Sequence, residues 1–174
     1  MTKYFCEPIK REDIKTIAKF FRRIYNPENN IYFPVVEIMD KFSLDFKVKF
    51  DIVEDDELEE KVLADTDILG GVVRIKESIY NGACNGDGLS RMTILHEMGH
   101  YVLLKVVGIK FARASKETKY KTCMDPEWQA KCFAGEVMID EELTKNMNVE
   151  EIKDKCGVSY PAAEYQYSIN HKEE

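Results

Sequence analysis

Thr93-Ile94-Leu95-His96-Glu97-Met98-Gly99-His100-Tyr101-Val102-Leu103-Leu104 is the stretch on which the reading of this chain turns. With Val106 and Val107 it makes a strongly apolar segment that no proline interrupts, which predicts a helix buried on most sides and closed by Gly108. Residues four apart on a helix lie one above the other, so His96 and His100 aim their imidazoles at a common point. That point suits zinc, which takes neutral imidazole nitrogen at about 2.0–2.1 Å. Glu97 is rotated about 100° around the axis, from where its carboxylate reaches a water at the metal without being a ligand itself. H-E-x-x-H thus supplies two ligands and a base, the greater part of a metallopeptidase site. The pattern arises by chance in roughly one such sequence in a couple of hundred. Two imidazoles beside a carboxylate in so apolar a helix, however, cost free energy unless something satisfies them, and a metal does.

A catalytic zinc has three protein ligands and an open position. The chain has three histidines, and the third, His171, sits in the charged tail Asn170-His171-Lys172-Glu173-Glu174, where chain ends fray. Leu103 and Val106 stand where a metzincin would have its glycine and third histidine, and no second E-x-x-H offers a di-iron bundle. A carboxylate or a thiolate remains. In Asp125-Pro126-Glu127-Trp128-Gln129-Ala130-Lys131-Cys132-Phe133-Ala134-Gly135-Glu136-Val137-Met138, Pro126 suits the first position of a helix. Glu127, Ala130, Phe133, Ala134, Val137 and Met138 then share one face, which packs on the motif helix with Glu127 leading it. Glu136 is expected on the opposite, solvent side, and Cys132 off the packed face. Glu127 is therefore the expected third ligand, with Cys123, in the loop before it, as the competitor.

Taken together, Tyr80-Asn81-Gly82-Ala83-Cys84-Asn85-Gly86-Asp87-Gly88-Leu89-Ser90-Arg91-Met92-Thr93-Ile94-Leu95, the H-E-x-x-H with Tyr101, Glu127-x-x-Ala130-x-x-Phe133-Ala134, and Gly157-Val158-Ser159 with Ala162-Ala163 resemble the ImmA/IrrE family of zinc metallopeptidases. The resemblance covers about two-thirds of the chain. It implies a zincin-like fold, a zinc held by His96, His100 and Glu127, Glu97 as general base, and an intracellular protein substrate. That substrate would be a helix-turn-helix repressor of a mobile element or stress regulon. The chain departs from the family where Gly135-Glu136-Val137-Met138-Ile139-Asp140 lacks the proline that often follows Phe-Ala. It is also read as too short to carry the attached helix-turn-helix or sensor domain of many relatives. The alternative function is a non-proteolytic zinc-bearing regulatory module that binds a repressor or other partner, against which the intact Glu97 argues.

With 174 residues the chain is expected to form one domain, 1–174, with N-terminal helices and a strand over 1–65, sheet and zinc-site helices over 66–140, and a C-terminal helical hairpin over 141–174. Five cysteines without C-x-x-C spacing argue against a disulfide framework and for a reducing, cytoplasmic setting. No apolar run reaches membrane-spanning length, and Met1-Thr2-Lys3-Tyr4-Phe5 leads into charged residues rather than a signal peptide. A net charge of −7 disfavours direct nucleic-acid binding. Oligomeric state is unknown from sequence.

An amphipathic helix is predicted over about Arg11 to Tyr25, with Ile14, Ile17, Ala18, Phe21, Ile24 and Tyr25 on one stripe. Pro34 should open a second, with Val35, Ile38, Met39 and Phe42 inward. Phe46, Val48, Phe50 and Ile52 alternate as in a half-buried strand, and Asp55 to Glu60 reads as a solvated turn. Ile68 to Ile79, with Gly70-Gly71 inside, reads as a hairpin or bulged edge strand. Beside the motif helix it is either an ordinary edge or one that holds an extended peptide by main-chain pairing. Gly82 to Gly88 lacks the G-K-[ST] of a phosphate loop and is a connector. Arg91 should form a surface salt bridge or guide a substrate carboxylate, and Phe111 to Met124 forms a basic connection beside the cleft. The C-terminal hairpin, 149–159 followed by 161–169, has a helix-turn-helix layout, but its second helix carries no arginine. The fold expected is α+β: the motif helix and the Glu-bearing helix packed on a small twisted sheet. Among Tyr120, Tyr160, Tyr165 and Tyr167 a donor to a developing oxyanion is expected.

Overall fold

The computed structural model of the chain describes residues 6–107 and 122–171. Along them run α1 (Arg11–Tyr25), α2 (Met39–Phe46), β1 (Lys49–Val53), β2 (Ala64–Asp67), β3 (Val72–Lys76), α3 (Glu77–Cys84), α4 (Gly88–Val107), a 3-10 turn (Thr122–Met124), α5 (Pro126–Met138), α6 (Glu141–Thr144), α7 (Val149–Cys156) and α8 (Tyr160–Asn170). The fold is mixed α+β, mostly helical around one three-stranded sheet of order β1-β3-β2. β1 runs parallel to β3 and β2 antiparallel to it, so β2 is an edge. No helix among the described residues is long and apolar enough to cross a membrane. The closure expected at Gly108 and most of the basic connection from Phe111 lie outside the described residues.

The long helix α4 starts where its sequence says it should. Gly86 takes a φ of 83°, and Asp87 then accepts hydrogen bonds from the backbone N–H of Ser90 (2.8 Å) and its hydroxyl (2.6 Å), capping the first turn. Ile94, Leu95, Met98, Tyr101, Val102 and Leu103 are buried. α5 packs against α4 on one side and α1 on the other, rather than on the sheet as expected, while α4 lies against β2. Gly99 is the reason α4 and α5 approach so closely: a Cβ there would stand 3.0 Å from the Phe133 ring and 3.3 Å from the Ala130 carbonyl. On the far side, the Phe21 and Phe133 rings meet edge-on, 5.2 Å apart, joining α1 to α5.

Several expectations are corrected by what packs nearby. On α1 the buried stripe takes in Arg22 and leaves Ile24 exposed. The Arg22 guanidinium donates to the carbonyls of Val137 and Asn30, which makes an inward arginine tolerable. Met39, not Pro34, opens α2, although Val35, Ile38, Met39 and Phe42 all point inward as predicted. The strand read from Phe46 starts only at Lys49: Phe46 ends α2, and Lys47 turns the chain with a φ of 55°. At the other end of β1, Val53 is buried and Ile52 is 40 % exposed, because α3 packs beside this end and alternation alone does not anticipate it.

The hairpin turns at Gly70-Gly71 as expected, but its first strand is the polar Ala64–Asp67 and Glu77–Ile79 already belong to α3. A cross-strand ion pair marks this pairing: Asp65 lies opposite Arg74 and accepts from its Nε at 2.9 Å and its Nη2 at 2.5 Å. Gly82 likewise lies within α3, so only residues 85–87 form the connector.

Arg91 neither guides substrate nor forms a surface salt bridge. It is fully buried, donates to the carbonyls of Phe33 (2.6 Å), Cys156 (3.0 Å) and Gly157, and lies over the Tyr32 ring. It thereby ties the start of α4 to the C-terminal hairpin, whose turn at Gly157 has a φ of 61°.

Candidate metal centre

Helical spacing puts His96 and His100 on one face of α4, and the two Nε2 atoms stand 3.2 Å apart. The first turn of α5 brings Glu127 over them. Asp125 caps that helix by accepting from the Glu127 N–H at 3.0 Å, and Pro126 occupies its first position. Glu127 Oε2 lies 3.1 Å from His96 Nε2, and Oε1 lies 3.3 Å from His100 Nε2. Donors about 2.0–2.1 Å from a zinc in tetrahedral array stand about 3.3–3.4 Å apart. The Nε2–Nε2 edge of 3.2 Å matches that figure within a few tenths of an ångström, each Glu127 oxygen lies 3.1–3.3 Å from one imidazole, and one donor atom from each of the three residues lies within 4.8 Å of the others. The residues therefore fit a zinc ion.

Among the described residues, His96, His100 and Glu127 form the one group of three or more donors placed to hold a metal. Cys123 is outside it; its carbonyl accepts from the Ile9 N–H and from the Gln129 side chain. Cys132 is buried toward α1, where its sulfur accepts from Arg11 at 3.5 Å.

The electrostatics suit a cation. Burial, with His96 as a lesser cause, pushes the His100 imidazole down to about 4, so at neutral pH it is the neutral species that ligates metals. The hydrogen bond to His96 holds the Glu127 carboxyl below its ordinary range, favouring the carboxylate. Burial raises Glu97, outweighing a hydrogen bond from Thr66 that acts in the opposite sense. The Thr66 hydroxyl donates to Glu97 Oε2 at 2.5 Å from the edge strand β2. Residue reading missed Thr66 because Asp65-Thr66-Asp67 resembles a turn. The usable signal was the β-branched residue between two acids, the first of which, Asp65, lies opposite Arg74 while Thr66 lies opposite Val73.

Gln129 is a second residue that sequence reasoning passed over. It is buried behind the site and donates to the carbonyls of Glu7 (2.9 Å) and Cys123 (2.8 Å), fixing the approach to α5.

The tyrosines expected as oxyanion donors stand elsewhere or outside the described residues. Tyr165 lies beside Arg11, Tyr167 stacks on His171 at 4.0 Å, and Tyr160 is exposed at the start of α8. Tyr120 is outside the described residues. Arg11 in turn pairs with Glu136, nine residues and about 13 Å along α5 from Glu127. Glu136 was expected in solvent and is buried instead, because α1 and α8 cover the face opposite α4: Arg11 and the Gln166 amide each donate to it at 3.0 Å. Set against known proteins, the chain matches no family model, no curated protein and no solved structure.

Proposed function

We propose that this chain is a zinc-dependent endopeptidase of the ImmA/IrrE type, with a zincin-like core, working in the cytosol. On the family resemblance, its substrate is one specific protein, a helix-turn-helix repressor of a mobile element or stress regulon. The observation that carries the reading is the convergence of the His96, His100 and Glu127 donors at 3.1–3.3 Å, with Glu97 one residue along the same helix. A structural zinc would be closed by a fourth protein ligand, whereas the described residues supply three donors, which leaves a position open for chemistry.

His96, His100 and Glu127 would hold the ion, which when bound would supply a Lewis acid to polarise the scissile carbonyl and acidify the attacking water. Thr66 occupies Oε2 of Glu97 and so leaves Oε1 to take the proton of that water. The same carboxyl then returns the proton to the leaving amine nitrogen as the C–N bond breaks. The raised proton affinity of Glu97 suits a group that must accept and then donate within one turnover.

The test is to mix the zinc-loaded chain with a helix-turn-helix repressor encoded beside its gene and to look for fragments. Cleavage that disappears in Glu97→Gln is expected. A stable complex without fragments would instead favour the zinc-bearing binding module.

A further inference from the structure

The edge strand β2 meets α4 through few groups. The face from which Thr66 reaches Glu97 carries only Ala64 and Thr66, opposite the buried Ile75 and Val73 of β3. The other face carries Asp65, paired with Arg74, and Asp67, whose carboxylate accepts from the Gly70 N–H at 2.8 Å. No large apolar side chain of β2 therefore seats the strand on the helix. The turn that follows is not packed down either: Leu69 is 89 % exposed, and Ile68 to Gly71 share an open groove of about 430 Å³ with Tyr101, Leu104 and Lys105 of α4.

Two hydrogen bonds join β2 to α4 among the described residues. The Thr66 hydroxyl donates to Glu97 Oε2 at 2.5 Å, and the Tyr101 hydroxyl donates to the Asp67 carbonyl at 2.8 Å. Glu97 and Tyr101 are one helical turn apart on the same side of α4, and Thr66 and Asp67 are neighbours, so the two contacts form one clip. Its halves are unequal. Tyr101 is buried, and the Asp67 carbonyl that it meets also accepts from the Gly71 N–H at 2.9 Å, at the base of the turn. That half is fixed by packing on one side and by the turn on the other. The Thr66 hydroxyl and the Glu97 carboxylate, by contrast, meet only while the two backbones keep their spacing.

We propose that Tyr101 is a positioning residue for Glu97: through the Asp67 carbonyl its hydroxyl fixes β2 against α4 and so keeps the Thr66 hydroxyl on that carboxyl group. The inference rests on the peptidase reading for what Glu97 does. It adds a residue that touches neither the zinc-site donors nor the base, yet sets how the base is held and which of its oxygens is free.

The experiment is a cycle of Tyr101→Phe, Thr66→Val and the double variant, each zinc-loaded, with kcat and KM read on cleavage of a helix-turn-helix repressor encoded beside the gene. Phenylalanine keeps the packed ring and removes the one hydroxyl. Tyr101→Phe should lower kcat about three- to tenfold, with KM and zinc content within about twofold of the parent. In the Thr66→Val background the same substitution should change kcat by less than about twofold, because the group that it positions is already gone. A merely structural tyrosine would lower stability and leave kcat of the folded fraction alone. Losses that multiply in the double variant, or a parent-like kcat in Tyr101→Phe, would overturn the proposal.

If the parent cuts nothing, the peptidase reading fails by itself, and hydrogen exchange decides the clip. The amides of residues 64–71 should then exchange about three- to tenfold faster in Tyr101→Phe, with those of β1 unchanged. Unchanged exchange at residues 64–71, or a rise shared equally by β1, would overturn it.

Discussion

Two polar clusters sit on the same helix, α5, at opposite ends and on opposite faces, and they are built to different ends. Around Glu136, whose side chain is 2 % exposed, the partners come from the protein itself: Arg11 supplies the countercharge and Gln166 a further donor, both to Oε1. Around Glu127, whose side chain is 69 % exposed, the neighbours are two imidazole nitrogens that face each other and the carboxylate. One cluster closes on itself and holds α1, α5 and α8 together. The other gathers electron pairs on a common point with no cation among the described residues to share them, which is the arrangement a metal ion completes. A buried carboxylate with a guanidinium beside it is architecture, whereas convergent lone pairs ask for a ligand.

Substitutions can break this contrast or sharpen it. The largest effect should come from Glu97→Gln. It removes the proton acceptor and should lower peptide cleavage by about 10²–10⁴-fold with zinc content unchanged, checked by turnover beside elemental analysis. Next, Glu136→Ala strands Arg11 in a largely buried site and should cost about 3 kcal/mol in chemical denaturation. Zinc bound by the folded fraction should stay the same, and a loss of zinc there would erase the distinction between the clusters. Gly99→Ala drives a methyl against Phe133 and the Ala130 backbone. It should cost about 1–3 kcal/mol and weaken zinc affinity by moving Glu127 away from the imidazoles, which a competitive chelator titration would show. The smallest effect is expected of Thr66→Val: loss of one hydrogen bond to Glu97, about 1 kcal/mol, lowers kcat several-fold and leaves zinc affinity unchanged.

The two clusters also differ in how far they could be read from sequence. The ligands of the metal centre are fixed by rules local to each of two helices: on α4 the four-residue repeat places His96 over His100, and Pro126 with the Asp125 cap fixes where α5 begins. Position on α5 then points Glu127 at α4. The same angular reasoning put Glu136 opposite, correctly, but could not say that α1 and α8 would cover that side. Arg91 was misjudged, and Arg22 passed over, for the same reason, since a buried arginine is accounted for only by the carbonyls it reaches.

Thr66 belongs to this second kind. Its strand is too polar to betray itself by alternation and exists through pairing with β3, so its hydroxyl on Glu97 became visible only with the fold in hand. The C-terminal hairpin was legible because its signals are again local: the Asn148 capping box, the Gly157 turn and the Ser159 cap ahead of Pro161.

Zinc per chain, measured by elemental analysis on protein purified without added metal, tests the central claim most directly when the parent is run beside Glu127→Ala and Cys123→Ser. About one zinc in the parent and in Cys123→Ser, with a marked loss in Glu127→Ala, is the expected result. Full zinc in Glu127→Ala, or none in the parent even after zinc is offered, would contradict it.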